Sequence, residues 1–178
     1  IAKQMTPETD SYYMSVARAI QLGARCLTTP VGALVVVDNR ILTTGYNGTP
    51  SGFPNCDLTS RGCIRCSDRR YHSEGKQELM TDVEHVSGKA LDRCICVHAE
   101  QNAFLTAARF GVRLENGCLY STHQPCFSCL KESIQAGIKR IVFSEPYPMN
   151  LSEKLQNQYD SLAGHLGTTG EQPNFVQI

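Results

Sequence analysis

The sequence lacks the long apolar run that a membrane-spanning helix requires. Its longest apolar stretch, near residues 33–37, is far shorter than the ~20 residues needed to cross a bilayer. No signal-peptide pattern is visible at the N-terminus. Neither sign of charge is in excess, since 17 Lys and Arg balance 17 Asp and Glu, whereas polynucleotide-binding proteins usually carry a basic face. We therefore expect a cytoplasmic protein that binds neither membranes nor nucleic acids.

Internal repeats and low-complexity tracts are also missing, and the length suits one domain with a substantial core. We expect residues 1–178 to form that single domain. Cysteine is the unusual part of the composition, with nine residues. Because the count is odd and no signal peptide is visible, clustered cysteines in this chain are expected to bind metal rather than to form disulfides.

Helical and extended patterns alternate along the chain. Pro7 follows a Thr and predicts the start of a first helix. Helices are also predicted from residue 98, over residues 126–136 and over residues 152–165, and alternation with short apolar runs predicts an α/β sandwich. The predicted strands are residues 33–37, 41–46, 118–122, 139–144 and 174–178, with Asp38-Asn39 as a turn between the first two. The helix from residue 98 is expected to bury Ala99, Ala103, Ala107 and Phe110 on one face and to end at Gly111.

The region from about residue 49 to residue 93 breaks this alternation. Gly, Pro, Cys and charged residues dominate it, and a structureless loop of that length is unusual inside a compact domain. We therefore expect a structural staple there, and a Cys-x-x-Cys pair with cysteines from a distant segment is typical of structural zinc sites. His72 and His85 are expected to be solvated. The predicted ligands of this second zinc are Cys56, Cys63, Cys66 and Cys94, with Cys26 and Cys96 as alternatives.

His98-Ala99-Glu100, followed by Pro-Cys-x-x-Cys at residues 125–129, is the most informative feature of the sequence. His98, Cys126 and Cys129, here called the zinc triad, supply three ligands and leave a fourth position open, as in catalytic zinc sites. Glu100 lies close to the metal without being needed as a ligand, and a carboxylate there can move protons during hydrolysis. This motif order is the signature of zinc deaminases that act on cytosine and adenine. A purely structural zinc would not need Glu100, which argues against a non-catalytic interaction protein.

The chain resembles the deoxycytidylate deaminases over roughly residues 13–147. The resemblance is carried by residues 26–33, 45–50 and 94–103, by the Pro-Cys-x-x-Cys motif and by Gln-Ala-Gly-Ile at residues 135–138. It implies a three-layer α/β/α sandwich with a mixed central sheet of the cytidine deaminase type. It also implies hydrolysis of dCMP to dUMP and ammonia, a reaction of pyrimidine deoxynucleotide metabolism that supplies a precursor of dTTP.

The resemblance further assigns roles to individual residues. The zinc triad would hold the catalytic zinc, and Glu100 would shuttle protons. Asn47, Ala99 and Tyr147 would contact the substrate, although Asn47 precedes a Gly and could instead be a turn residue. The family also implies a homo-oligomer, with a hexamer favoured, and dCTP and dTTP as effectors. Residues 71–91 match no family motif, which leaves the regulation open.

Some residues keep alternative interpretations. Arg25, Arg109 and Arg113 are candidates to bind a 5′-phosphate, since Arg suits phosphate geometry. Cys118 lies in a predicted strand and is expected in the core, whereas His123 could line the pocket. Other deaminases of the superfamily, acting on nucleosides, free bases or tRNA, remain alternatives. The tRNA enzymes would be expected to have a basic surface, and cytidine deaminases usually have Cys where this chain has its His ligand.

Overall fold

The structure, a computed structural model, describes residues 6–56, 63, 94–149, 151–169 and 172–178. Cys66, His72, His85 and most of the predicted insertion therefore lie outside the described residues. The helices in these ranges are α1 (Pro7–Gln21), α2 (Ala99–Phe110), α3 (Phe127–Gln135) and α4 (Glu153–His165). The strands are β1 (Gly32–Val37), β2 (Arg40–Tyr46), β3 (Cys118–His123), β4 (Arg140–Glu145), β5 (Thr168–Thr169), β6 (Gln172–Pro173) and β7 (Phe175–Gln177).

Five strands form one mixed sheet in the order β2-β1-β3-β4-β7. Strand β1 pairs antiparallel with β2 and with β3, whereas β3, β4 and β7 are parallel to one another. The predicted turn between β1 and β2 is present, and both of its residues, Asp38 and Asn39, have positive φ. The small antiparallel pair of β5 and β6 was not predicted, because each strand is only two residues long and has no apolar period.

Alternate residues of β1 face two different helical layers. Leu34 and Val36 pack with α1, through a cluster that includes Tyr13 and Ala17. Ala33 and Val35 face the opposite side, where they pack with buried residues of α2, α3 and α4. This period of two is what a sheet covered on both faces requires. The predicted three-layer sandwich with a mixed sheet is confirmed. None of the helices in the described ranges has the length and apolarity to cross a membrane.

Two glycines allow helices to approach the sheet closely. A Cβ atom on Gly32 would lie 2.3 Å from the carbonyl oxygen of Ala17 in α1. A Cβ atom on Gly45 would lie 2.1 Å from the carbonyl oxygen of Ala99 in α2. Any larger side chain would push these helices away, so Gly45 sets the distance between β2 and the start of α2.

The predicted buried face of α2 is correct except at its last residue. Ala103 and Ala107 are buried, but the Phe110 ring is 71% exposed. Gly111 ends the helix with φ of 67° and turns the chain back toward the sheet. The side chain of Leu114 then fills the core at this end of α2, and Phe110 points to solvent.

Candidate active site

The zinc triad comes together at the N-termini of two helices. His98 is the N-cap of α2, Cys126 is the N-cap of α3, and Cys129 lies in the first turn of α3. The Nδ1 atom of His98 lies 3.5 Å from Sγ of Cys126 and 3.4 Å from Sγ of Cys129. Tetrahedral zinc with ordinary Zn–N and Zn–S bonds would separate such atoms by about 3.6 Å. The distances from His98 to both cysteines therefore match those between ligands of one zinc ion, and all three ligand atoms lie within 4.8 Å of one another.

The electrostatics of the triad also suit a metal. A hydrogen bond from the Cys129 thiol and the neighbouring His98 ring together lower the pKa of Cys126 to about 4, although burial opposes the shift. A thiolate is the form in which cysteine binds zinc. Two helix N-termini point at the same place, and their partial positive charge favours thiolate ligands.

Glu100 lies in the first turn of α2. Its side chain is buried and lines the cleft beside the triad. Burial raises the pKa of Glu100 to about 7, an effect that His98 partly opposes. A carboxyl group with a pKa near neutrality can both accept and donate a proton, which suits general acid–base chemistry.

A polar brace that the sequence analysis missed holds His98 in place. The side-chain oxygen of Gln101 accepts the backbone N–H of His98 at 3.1 Å. The amide nitrogen of Gln101 donates to the Glu132 carboxylate at 3.1 Å, and Ser128 donates to the same oxygen at 3.3 Å. The brace links α2 to α3 and so joins the two helices that carry the ligands. Gln three residues after the N-cap is the capping-box signal that could have identified it.

His98 and Cys126 of the triad line a cleft of about 700 Å³, a volume that includes the open mouth. The predicted substrate contacts Asn47, Ala99 and Tyr147 all line this cleft, and so does His123. Burial lowers the pKa of His123.

Asn47 organises one wall of the cleft. Its amide oxygen accepts the backbone N–H of Val31 at 2.8 Å, and its amide nitrogen donates to the carbonyl of Thr29 at 2.7 Å. The backbone of Asn47 does not adopt positive φ. Asn47 therefore does not adopt the positive-φ turn conformation that an Asn-Gly pair can indicate, and its side chain holds the neighbouring loop.

The three candidate phosphate ligands lie in different places. Arg109 lies at the far end of α2, with its guanidinium 5.8 Å from the centre of the Phe110 ring. Arg113 is exposed just beyond that helix. Arg25 is beside the cleft, because its backbone N–H donates to the carbonyl of Asn47 at 2.8 Å. Among the described residues, no Arg or Lys lines the cleft itself.

A second group of cysteines lies beside the same cleft. The sulfur atoms of Cys56, Cys63 and Cys96 are all within 4.8 Å of one another and are buried. Cys94 was preferred to Cys96 in the predicted set, and its sulfur lies 3.6 Å from that of Cys63. Among the described residues, Cys96 therefore belongs to the group of three sulfur atoms that lie close to one another, whereas Cys94 lies next to that group, near Cys63. Cys26, Cys94 and Cys96 also line the cleft. Cys118 is buried in the core, as predicted.

Comparison with known proteins places this geometry in a family. Residues 7–145 match the family described as the cytidine and deoxycytidylate deaminase zinc-binding region. A deoxycytidylate deaminase from Schizosaccharomyces pombe is 38% identical over 144 residues, which cover 81% of this chain and 39% of that protein. A deoxycytidylate deaminase from Mycobacterium phage D29 is 36% identical over 137 residues, which cover 77% of this chain and 94% of that protein.

A solved structure extends the likeness to the whole fold. The dCMP deaminase from the cyanophage S-TIM5, in complex with dCMP and dUMP, superposes with a TM-score of 0.65 and 26% identity. The match covers 98% of this chain and 100% of that one. The chain spans about two fifths of the Schizosaccharomyces pombe relative but nearly all of the Mycobacterium phage D29 and cyanophage S-TIM5 proteins. Because the family match covers most of its residues, the chain belongs to the cytidine and deoxycytidylate deaminase family.

Proposed function

We propose that this protein is a deoxycytidylate deaminase, which hydrolyses dCMP to dUMP and ammonia. The observation that carries the proposal is the buried Glu100 beside the zinc triad, in a cleft that Asn47 and Tyr147 also line. The relatives with this activity support it, as does the structural neighbour that holds dCMP and dUMP.

The chain's own residues can carry out the proton transfers that hydrolysis needs. The triad would hold a zinc ion, which would supply an activated water at neutral pH. Glu100 takes a proton from the attacking water and delivers it to the ring nitrogen next to the amino-bearing carbon. The water oxygen bonds to that carbon, and the second water proton reaches the amino group through Glu100. The carbon–nitrogen bond then breaks, so that ammonia leaves and the oxygen becomes the carbonyl of dUMP. Asn47, Ala99 and Tyr147 are proposed to hold the nucleotide against the triad.

Substitution of Glu100 tests this mechanism. Glu100→Gln keeps the shape of the side chain but cannot accept a proton, so kcat for dCMP should fall by ~10²–10⁴-fold or more. Zinc content should stay at the wild-type value, because Glu100 is not a proposed ligand. The control is Glu153→Gln, which changes an exposed carboxylate at the start of α4. Wild-type turnover by Glu100→Gln would refute the mechanism.

The substrate class needs its own assay. Ammonia release should be followed with cytosine, deoxycytidine, CMP, dCMP and dCTP, and dCMP should have the highest kcat/KM. Binding energy from a remote phosphate supports rate as well as affinity, so deoxycytidine should react much more slowly. Equal kcat/KM for dCMP and deoxycytidine would favour a nucleoside deaminase instead.

Arg25 is the proposed phosphate ligand, since it is the candidate arginine that lies beside the cleft. Arg25→Ala should lower kcat/KM for dCMP and leave that for deoxycytidine unchanged. Arg113→Ala, which removes an exposed arginine elsewhere, is the control. Equal losses with both substrates would mean that Arg25 does not bind the phosphate.

We also propose a second, structural zinc in the cluster of Cys56, Cys63 and Cys96, with Cys94, Cys26 or Cys66 as the fourth ligand. Three buried sulfur atoms within 4.8 Å of one another support it. Elemental analysis should find two zinc ions per chain, and Cys56→Ser with Cys63→Ser should leave one. Cys118→Ser, in the core beyond the sheet, should keep both. One zinc in fully metallated wild-type protein would refute the second site.

Assembly and regulation complete the proposal. The family resemblance supports a homo-oligomer, with a hexamer favoured, and control by dCTP and dTTP through a site near residues 45–48. Control of this kind requires each effector to prefer one of two states. Light scattering should give the mass of the oligomer, and dCMP saturation curves should become less sigmoidal with dCTP. Hyperbolic curves that neither nucleotide changes would refute the regulation.

A further inference from the structure

Helix α4 lies beyond the residues that match the family, yet it contacts the zinc-binding loop. Tyr159 of this helix is 1% exposed. Its hydroxyl donates to the carbonyl of Pro125 at 2.7 Å. Pro125 directly precedes the triad ligand Cys126, so this hydrogen bond fixes the backbone from which the ligand projects.

The same hydroxyl reaches the cleft wall through Gln124. The amide nitrogen of Gln124 donates to the Tyr159 oxygen at 3.3 Å. The amide oxygen of Gln124 accepts the backbone N–H of Tyr147 at 3.3 Å, and its backbone N–H donates to the carbonyl of Glu145 at 2.8 Å. Gln124 thus ties the ligand loop to the segment after β4, and both Gln124 and Tyr147 line the cleft.

The packing of Tyr159 separates the role of its ring from that of its hydroxyl. The ring lies 5.9 Å from the Phe127 ring and 6.1 Å from the Phe175 ring, measured between centroids. A phenylalanine would fill the same space and keep these contacts. The hydroxyl also forms hydrogen bonds with two groups of the ligand loop, the Pro125 carbonyl and the Gln124 side chain. Apolar packing of the ring alone would not require a hydroxyl at this position.

We propose that Tyr159 is a positioning residue for the active site, whose hydroxyl orients Cys126 through Pro125 and Tyr147 through Gln124. Partners behind metal ligands of this kind typically affect metal affinity or activity by about 10- to 100-fold. The activity readout rests on the proposed deaminase function, whereas the metal readout does not.

Tyr159→Phe tests the proposal, with Tyr120→Phe as a matched control. The Tyr120 hydroxyl is equally buried and donates to Asp10 at 2.7 Å, on the α1 side of the sheet. Both variants should lower the melting temperature, because each loses a buried hydrogen bond. Only Tyr159→Phe should speed zinc transfer to a chromogenic chelator and lower kcat/KM for dCMP, each by about 10-fold or more.

Gln124→Ala gives a second route if the phenylalanine variant folds poorly. It should raise KM for dCMP, and its effect should be non-additive with that of Tyr159→Phe in the double variant, because the two side chains share a hydrogen bond. The proposal would be overturned if Tyr159→Phe had the same rate of zinc transfer and the same kcat/KM as Tyr120→Phe. Full additivity in the double variant would also overturn it. If wild-type protein did not deaminate dCMP, the proposed function would fail, and zinc transfer would still decide the role of Tyr159.

Discussion

Replacement of Gly45 in β2 by alanine should disturb the active site, because the new side chain would displace α2. The new Cβ would lie 2.1 Å from the carbonyl oxygen of Ala99 and 2.6 Å from the amide nitrogen of Ala103. Both atoms belong to the backbone of α2, so no change of rotamer relieves the overlap. Ordinary contact begins at 3.4 Å, and α2 must therefore retreat from β2 by about 1 Å.

The size of the effect follows from these distances. Overpacking a core by one methyl group typically lowers the free energy of unfolding by about 1–3 kcal/mol. Because this overlap is with backbone atoms, we expect a loss of about 3 kcal/mol. For a chain of this length, that loss lowers the melting temperature by about 6 to 12 °C. His98 caps α2 directly before Ala99, so the ligand moves with the helix. A displacement of about 1 Å at a reacting centre can reduce the rate ~10²-fold.

The assay combines urea unfolding with kcat/KM for dCMP, both measured in the presence of zinc. Gly164→Ala is the matched control, because Gly164 is a helical residue with no heavy atom within 4 Å of its new Cβ. The control should gain up to ~1 kcal/mol and keep its activity, since Ala is the better helix former. A Gly45→Ala variant with wild-type stability and activity would show that α2 does not rest on the backbone of β2.

Three further predictions concern the core. Asp10→Ala should lower the free energy of unfolding by about 3 kcal/mol, because Arg140, which it binds at 2.7 Å and whose side chain is only 13% exposed, loses its carboxylate partner. Leu130→Ala removes a fully buried side chain and should lower the free energy of unfolding in urea by about 2–5 kcal/mol. The control Leu105→Ala, at a side chain that is 59% exposed, should change it by no more than about 0.5 kcal/mol. Burial raises the pKa of Cys118 from 9.0 to about 11. The stability that the protonated Cys118 thiol contributes is therefore complete below pH 9 and is lost as the pH rises through 11. Cys118→Ala should therefore lose less stability than wild type between these pH values.

The zinc triad was predictable because zinc restricts which residue types can serve and how closely they must follow one another. Cys126 and Cys129 are on one helix turn, and His98 needs only to start a second helix that faces it. The turn between β1 and β2 was predictable for a similar reason, since Asp38 and Asn39 tolerate positive φ. In each case a local chemical requirement appears directly in consecutive residues.

The cysteine cluster could be predicted only in part. Cys94 and Cys96 lie two residues apart in an irregular segment, where no helical or extended period indicates which sulfur points inward. The choice depends on a bridge between Val97 and Gly48, whose backbone groups pair in both directions at 3.2 and 2.8 Å. That pairing joins segments almost fifty residues apart and leaves no signal in the sequence of either.

The support behind the ligands was the least predictable part of the site. Tyr159 has the spacing of an ordinary core residue of α4, and nothing local distinguishes its hydroxyl from that of any other buried tyrosine. Its role depends on which loop lies against α4, and that loop is Gln124 and Pro125, which reach it from the end of β3. A motif such as Pro-Cys-x-x-Cys specifies the chemistry of the metal ligands. How firmly those ligands are held depends on a helix that the motif does not include, so relatives with the same motif can differ in zinc retention and rate if they lack this tyrosine.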